Sequence, residues 1–254
     1  MINEYTFLCL PRKFQNKLSI YPPTVNQVLT VENFSKYKKM LTISYEDLED
    51  EMTEASKKNG TEFKGEVPTP FEFLLGNSFN NKEFEKLAKE AFQFFFHEEI
   101  SFLYEQKVIL LGNLEEEVSK IKTVEELRLI REEEYFDIQN CLREALGEKT
   151  VEKPDPDEDP RVKRIKAKAR YRDRVKAKNG DGLTLGDSLA SICCMGLGIT
   201  PLNIGEMSYA AISVIMERYQ EHEKYDTDVR SILAGADSKK IKPKYWIRNL
   251  DNNK

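Results

Sequence analysis

The chain has 254 residues, of which 40% are hydrophobic, 33% charged and 10% aromatic, and its formal net charge is −5. That length suits one large domain or two modest ones, and 14 Phe with 11 Tyr exclude a chain too polar to bury a core. The mild negative charge excludes a polyanion-binding surface spread over the whole molecule, so any such surface has to be local.

Cys9, Cys141, Cys193 and Cys194 show no C-x-x-C spacing and sit in apolar or helical contexts. They read as small buried hydrophobes in a reducing compartment, with neither a disulfide nor a zinc half-site expected. The opening Met1-Ile2-Asn3-Glu4 carries an acid and no long apolar core follows it. No segment approaches the roughly 20 uninterrupted apolar residues of a membrane helix. A cytoplasmic protein without membrane contact is expected.

Residues 5–10 (YTFLCL) are short, apolar and β-prone and end at Pro11, so they predict a strand; residues 18–21 predict a second, closed by Pro22-Pro23. Thr24 is a good N-cap for a short helix through Val25 and Leu29, and Asn33 or Glu32 opens another through Met40. Ser44 and Asp47 form a capping-box pattern ahead of a helix over residues 45–55. Its outer face is dense in Glu and Asp, which reads as a solvated face, since ligand loops with glycine turns are missing. A polar loop over residues 57–67 leads to Pro68 and Pro70, which precede a short apolar helix, FEFLL. Asn80 is placed to cap a stronger helix over 81–97, with Phe84, Leu87, Ala88, Ala91, Phe94 and Phe95 facing inward. His97, at the negative end of that helix, reads as structural, because no serine or cysteine is tied to it.

Residues 100–111 (ISFLYEQKVILL) read as two apolar runs around Glu105-Gln106-Lys107, a hairpin with a helix as the competitor. Thr123 and Glu126 make a capping box ahead of VEELRLI, and a helical pattern continues through Tyr135, Phe136, Ile138, Cys141, Leu142 and Leu146 to Gly147. Pro154, Pro156 and Pro160, with Asp155, Asp157, Glu158 and Asp159, then make GEKTVEKPDPDEDP an extended, solvated linker. The expected organisation is a mainly helical module with short strands over 1–147, an acidic linker over 148–160, and a helical module over 161–254. The fold class is mainly α with a small β element: an α+β N-terminal module followed by an all-α one.

After the linker the sign flips. Ten Lys and Arg face only Asp173 between Arg161 and Lys178, and the absence of breakers predicts a helix over 160–178, closed by Asn179-Gly180. Arg161, Arg164, Lys168, Arg172 and Lys176 form its candidate basic face, while Val162, Ile165, Ala169 and Tyr171 give a thin apolar stripe for docking. Such a helix either contacts nucleic-acid phosphates or packs against acids of the linker or of another protein. One aromatic residue signals no base stacking. Thr184 caps the next helix, through Leu189, Ile192 and Met195, and Gly196 and Gly198 break it. These glycines follow a helix and lack a downstream Lys-Ser/Thr, so they are no phosphate loop. Thr200-Pro201 starts the next turn with Pro at a first helical position.

The longest helical pattern follows, ending at Gly235. Met207, Ala211, Val214, His222, Tyr225, Val229 and Ile232 recur at three- and four-residue steps, and Ile212, Ile215, Met216 and Tyr219 widen the face, which predicts burial against two neighbours. In the tail, Tyr245, Trp246, Ile247 and Arg248 are candidate partner-binding residues, because aromatics and Arg dominate interface hot spots. The competing reading has Trp246 covering the end of the helical core.

Three stretches, MSYAAISVIMERYQEHEKYD, DVRSILAGADSKK and KPKYWIRNL, make the last quarter of the chain similar to the tail assembly chaperones of long-tailed phages. That resemblance implies a small, mostly helical cytosolic protein that binds the tape-measure and tail tube proteins and leaves before the particle is finished. It brings no catalytic residue with it. The first 147 residues are larger than the family pattern. The function expected is therefore non-enzymatic binding in phage morphogenesis, with a nucleic-acid-binding accessory role through residues 161–178 as the alternative. Two histidines, no phosphate loop and no nucleophile elbow leave no catalytic, cofactor or metal site to expect. Self-association through the acidic linker and basic helix of different copies is a further expectation.

Overall fold

The computed structural model describes residues 4–15, 17–61, 65–113, 127–155, 157–178, 184–238 and 240–247. The fold is mainly α with two small antiparallel sheets. Residues 5–10 do not form a strand. They make one helical turn, α1 (Glu4–Phe7), because the amides of Leu8 and Leu10 close back onto the carbonyls of Glu4 and Tyr5 at 3.0 and 2.8 Å. β1 (Arg12–Phe14) and β2 (Leu18–Ile20) then pair antiparallel, burying Leu18 and Ile20.

Caps set most of the helix starts. Thr24 and Gln27 satisfy each other at the head of α2 (Val25–Thr30), and Ser44 and Asp47 do the same for α4 (Tyr45–Lys58). Between them lies α3 (Phe34–Thr42). Pro70 is not ahead of its helix but inside it, at the first position of α5 (Pro70–Asn80), behind a Thr69–Glu72 capping box. Asn81 rather than Asn80 caps α6 (Lys82–Phe96): its Oδ1 accepts from the amides of Glu83 and Phe84 at 2.9 and 3.2 Å. Asn80 instead sits in the last turn of α5, donating to the Gly76 carbonyl at 2.8 Å.

The hairpin forms as expected, from β3 (Ile100–Leu103) and β4 (Val108–Leu111). A third strand, β5 (Leu129–Ile130), pairs with the free edge of β4, where the sequence pattern reads as helix. All four β4 residues are buried, so an unpaired edge there would strand backbone donors and acceptors away from water. The Thr123–Glu126 pattern lies outside the described residues. Helix α7 (Glu132–Ala145) begins only after β5, with three glutamates in its first turn facing the positive end of the helix dipole. Phe92, Phe95 and Phe96 of α6 anchor the main core, together with Leu74, Ile109, Ile130 and Leu142. Buried Gln139 ties α7 to the end of α3, donating to the carbonyls of Leu41 and Ile43 at 2.9 and 3.2 Å.

The proline-rich linker is extended but not solvated throughout. Asn140 of α7 clamps Val151 with two backbone hydrogen bonds, at 3.0 and 2.9 Å, and Lys153 lies 5.3 Å above the Phe136 ring. Beyond it come α8 (Pro160–Lys178), α9 (Leu185–Cys194), a 3₁₀ turn (Ile204–Glu206) and α10 (Tyr209–Leu233). Pro201 opens a turn into that 3₁₀ segment rather than an α-helix.

A short seam joins the N-terminal region to the start of α10. Thr24 and Ser208 form an antiparallel bridge, with Val25 N donating to Met207 O and Tyr209 N to Pro23 O, both at 2.9 Å. Val25 is buried in a second hydrophobic cluster with Ile192, Ile204 and Ile212. Gly147 ends α7 at φ 72°, directly against α10; a Cβ there would lie 3.0 Å from Ala210 Cβ.

Gly147→Ala therefore adds both strain and a clash, and is expected to cost about 1–3 kcal/mol in urea denaturation. The Tyr135 hydroxyl is fully buried and has no hydrogen-bond partner among the described residues. Burial raises its pKa above the ordinary tyrosine value of 10.0. The unfolded chain thus ionises first: the contribution is intact below pH ~10 and is lost as pH climbs above it. Tyr135→Phe is expected to stabilise the protein by about 1 kcal/mol at neutral pH and to reduce the alkaline loss, read as Tm against pH.

Candidate interaction surfaces

The cations of α8 divide between two sides of the helix. Lys163, Lys166 and Arg170 fall within about 60° of one another at 100° per residue, and Arg161, Arg164, Lys168 and Arg172 lie on the opposite side. The first group is spent on acids. Lys163 Nζ sits 2.7 Å from Glu49 Oε1, Arg170 Nε donates to Asp50 Oδ2 at 3.0 Å, and Lys166 pairs with Glu158. The hydrogen bond that Lys163 donates to Glu49 raises its pKa. For Arg170, burial pulls the pKa down, but the hydrogen bond and charge of Asp50 outweigh it and raise the net value. The acidic face of α4 is therefore partly a docking surface rather than wholly a solvated one.

The second group is exposed, and its four side chains have no ion-pair partner among the described residues. The side chain of Lys176 lies outside them. Val162, Ile165 and Tyr171 are 42%, 68% and 59% exposed, so the thin apolar stripe does not dock the helix; its ion pairs do. Linker and helix also meet within one copy, at Lys166 and Glu158.

Helix α10 does not bury against two neighbours along its length. Only Ala210, Ala211 and Ile212 are buried; Val214, Ile215, Met216, Tyr219, Tyr225, Val229 and Ile232 are half-buried, and Leu233 is 81% exposed. The neighbours α1 and α9 cover its base, and beyond Met216 charged residues interrupt the apolar face. The tail folds back on the middle of this helix rather than over its end. Trp246 meets His222 edge-on at 5.1 Å, Tyr245 meets Tyr225 edge-on at 5.5 Å, and Arg218 Nη1 reaches the Trp246 carbonyl at 3.5 Å. Trp246 is half-buried, while Tyr245 and Ile247 remain 57% and 60% exposed. Arg248 lies outside the described residues.

A cleft of about 960 Å³ opens between α2, α3 and the start of α10. Val28, Leu29, Phe34, Leu185 and Tyr209 form its apolar side, and Lys38, Lys39 and Arg143 face Asp47, Glu51 and Glu148 on the other. Ion pairs at 2.7 Å, Lys38 with Glu148 and Lys39 with Glu51, consume much of that charge. His97 sits in the left-handed region at φ 55° and stacks on Tyr21 at 3.9 Å, a structural role at a helix end. The cysteines depart from the expected buried state: Cys9, Cys141 and Cys193 are half-buried and Cys194 is exposed. Burial raises the Cys9 and Cys141 thiols, which keeps them protonated. Among the described residues, no group of three His, Cys, Asp or Glu is arranged to hold a metal, and no helix is long and apolar enough to cross a membrane.

Replacing Glu49 and Asp50 by Gln and Asn should release α8 from α4. Backbone amides of residues 161–172 are expected to exchange faster in low salt, while those of α6 stay unchanged. Raising salt should bring the unmodified protein toward the variant. Equal protection in both proteins would rule out the docking role of these pairs.

A family model described as the YomV second domain matches residues 175–251, from the last turn of α8 through α9, α10 and the tail. No curated protein and no solved structure matches the chain. The matched family is phage-associated, and the match supports a phage protein.

Proposed function

We propose that the chain is a non-enzymatic phage morphogenesis protein, a tail assembly chaperone that binds the tape-measure and tail tube proteins. The observation that carries this reading is α10 with its folded-back tail. A helix about 37 Å long is fixed at one end and presents a broken apolar face along the rest, with the aromatic rings of Tyr245 and Trp246 laid across its middle. An amphipathic helix recognises such a surface by seating apolar residues at three- and four-residue steps. Tape-measure proteins are long and helical in the family this tail resembles, and aggregate unless such faces are covered. Glu217, Glu221 and Glu223 on the same helix keep the complex in solution. The phage-associated match covers this helix and its tail.

Co-expression with tape-measure and tail tube fragments, followed by light scattering at low and high salt, tests it. A co-complex of defined mass that persists in high salt is expected, and Tyr245→Ala with Ile247→Ala should weaken it by about tenfold or more. A chain that stays uncomplexed with every fragment, or a complex indifferent to both substitutions, would remove the reading.

A further inference from the structure

We infer that the outward ridge of α8, formed by Arg161, Arg164, Lys168 and Arg172, binds the phosphodiester backbone of nucleic acid without reading its sequence. The surface is separate from α10 and its tail, so this site stands or falls independently of the chaperone reading.

The charge distribution is the first ground. The segment from Pro160 to Lys178 holds ten of the 39 basic residues and one of the 44 acids. The remainder of the chain, with 29 basic against 43 acidic residues, carries −14. A helix at +9 beside that surface should be neutralised by it, and three of its cations are: Lys163, Lys166 and Arg170 are taken by Glu49, Glu158 and Asp50. Those same pairs hold the opposite face outward. Four exposed cations stay without an ion-pair partner among the described residues, in a line about 16 Å long at 1.5 Å per residue.

The neighbours of the ridge decide what kind of anion it meets. Val162, Ile165 and Ala169 flank it on one side as a short stripe of small and aliphatic residues, and Tyr171 stands alone on the other, so the helix offers no broad apolar face. A protein interface would then lack a desolvated centre, and four solvent-exposed pairs with separate carboxylates contribute little. A membrane surface would find only Val162 and Ile165 exposed on one side to take up, far short of the apolar face of an interfacial helix. A nucleic-acid backbone needs neither, because released counterions supply the affinity. Three of the four cations are Arg, whose planar fork grips phosphate through two N–H groups. With one exposed aromatic, stacking is not the means of recognition.

Fluorescence anisotropy of the full chain with labelled 20-mers of duplex DNA, single-stranded DNA and duplex RNA tests this. We expect about micromolar Kd in 50 mM salt with at least one of them, equal for scrambled sequences. For duplex DNA, four phosphate contacts predict a slope of log K on log salt of about −3.6 or steeper. The variant R161Q/R164Q/K168Q/R172Q should bind at least about tenfold more weakly in 50 mM salt, with a slope shallower by about 3.6. Its circular dichroism should match the unmodified protein, since the substituted side chains contact no acid among the described residues. Absence of binding in 50 mM salt, or a variant that binds equally well, would overturn the assignment. So would binding to poly-glutamate as tight as to duplex DNA, which would transfer the ridge to an acidic protein partner.

Discussion

The seam between residues 23–25 and 207–209 is the constraint on which the arrangement depends. Two backbone hydrogen bonds of 2.9 Å and one bridge join segments 184 positions apart, from Thr24 to Ser208. They place Val25 inside the cluster of Ile192, Ile204 and Ile212, so the C-terminal core is incomplete without a residue from the N-terminal region. Across the same junction Tyr209 meets Phe34 edge-on at 5.5 Å, and Gly147 admits Ala210 where any side chain would collide. Small residues therefore do here what large ones do in the main core. Gly147 and Ala210 let the end of α7 approach the start of α10.

The second organising feature is charge held apart by the fold. Each ion pair between α8 and α4 is partly solvated and contributes little to stability on its own. Lys163 is 52% exposed at the side chain and Glu49 25%, against 26% for Arg170 and 17% for Asp50, so the Arg170 pair is the better protected of the two. Their effect is orientation rather than stability. Without apolar packing beneath it, α8 would be free to roll about its axis, and two pairs seven residues apart on one side stop that roll. The acidic linker contributes a third contact, and Asn140 in turn holds the linker to α7.

Local signals were readable, and long-range ones were not. Thr24, Ser44 and Thr184 all cap the helices their spacing predicts, since a capping box is complete within four residues. Asn81 displaced Asn80 because two adjacent asparagines carry the same signal, and only the packing of α5 against α6 decides between them. Leu129 and Ile130 look helical in the sequence and form a strand because β4 needed a second neighbour, which no local pattern announces. The ten cations of α8 were evident from composition. Their division into paired and free faces was not, because Asp50 lies 120 positions from Arg170. Tyr245 and Trp246 stood out as anchors, but their seats on Tyr225 and His222 follow from a chain reversal around Gly235 that spacing alone does not fix.

The long helix poses the remaining physical question, which is what keeps its outer two thirds helical. An isolated helix of that length is marginal in water, and helices in proteins are held chiefly by packing. Among the described residues, neither hydrophobic cluster takes in a side chain of this helix beyond Met216. One i,i+4 pair, Arg230 with Asp226 at 2.7 Å, adds a few tenths of a kcal/mol by the usual scale. The tail adds further support: its Trp246 carbonyl accepts from Arg218, and its rings press on His222 and Tyr225. Tail and helix are thus one unit: a partner that pulls Trp246 away must replace the contacts α10 loses. Tyr245 presses on Tyr225 yet is 57% exposed, and Ile247 is 60% exposed, so a partner can engage the outer part of both without displacing Trp246. Binding through the exposed pair would strengthen the strap, whereas binding through Trp246 would compete with it, and this difference makes Tyr245 and Ile247 the residues by which a partner is gained at least cost to the fold.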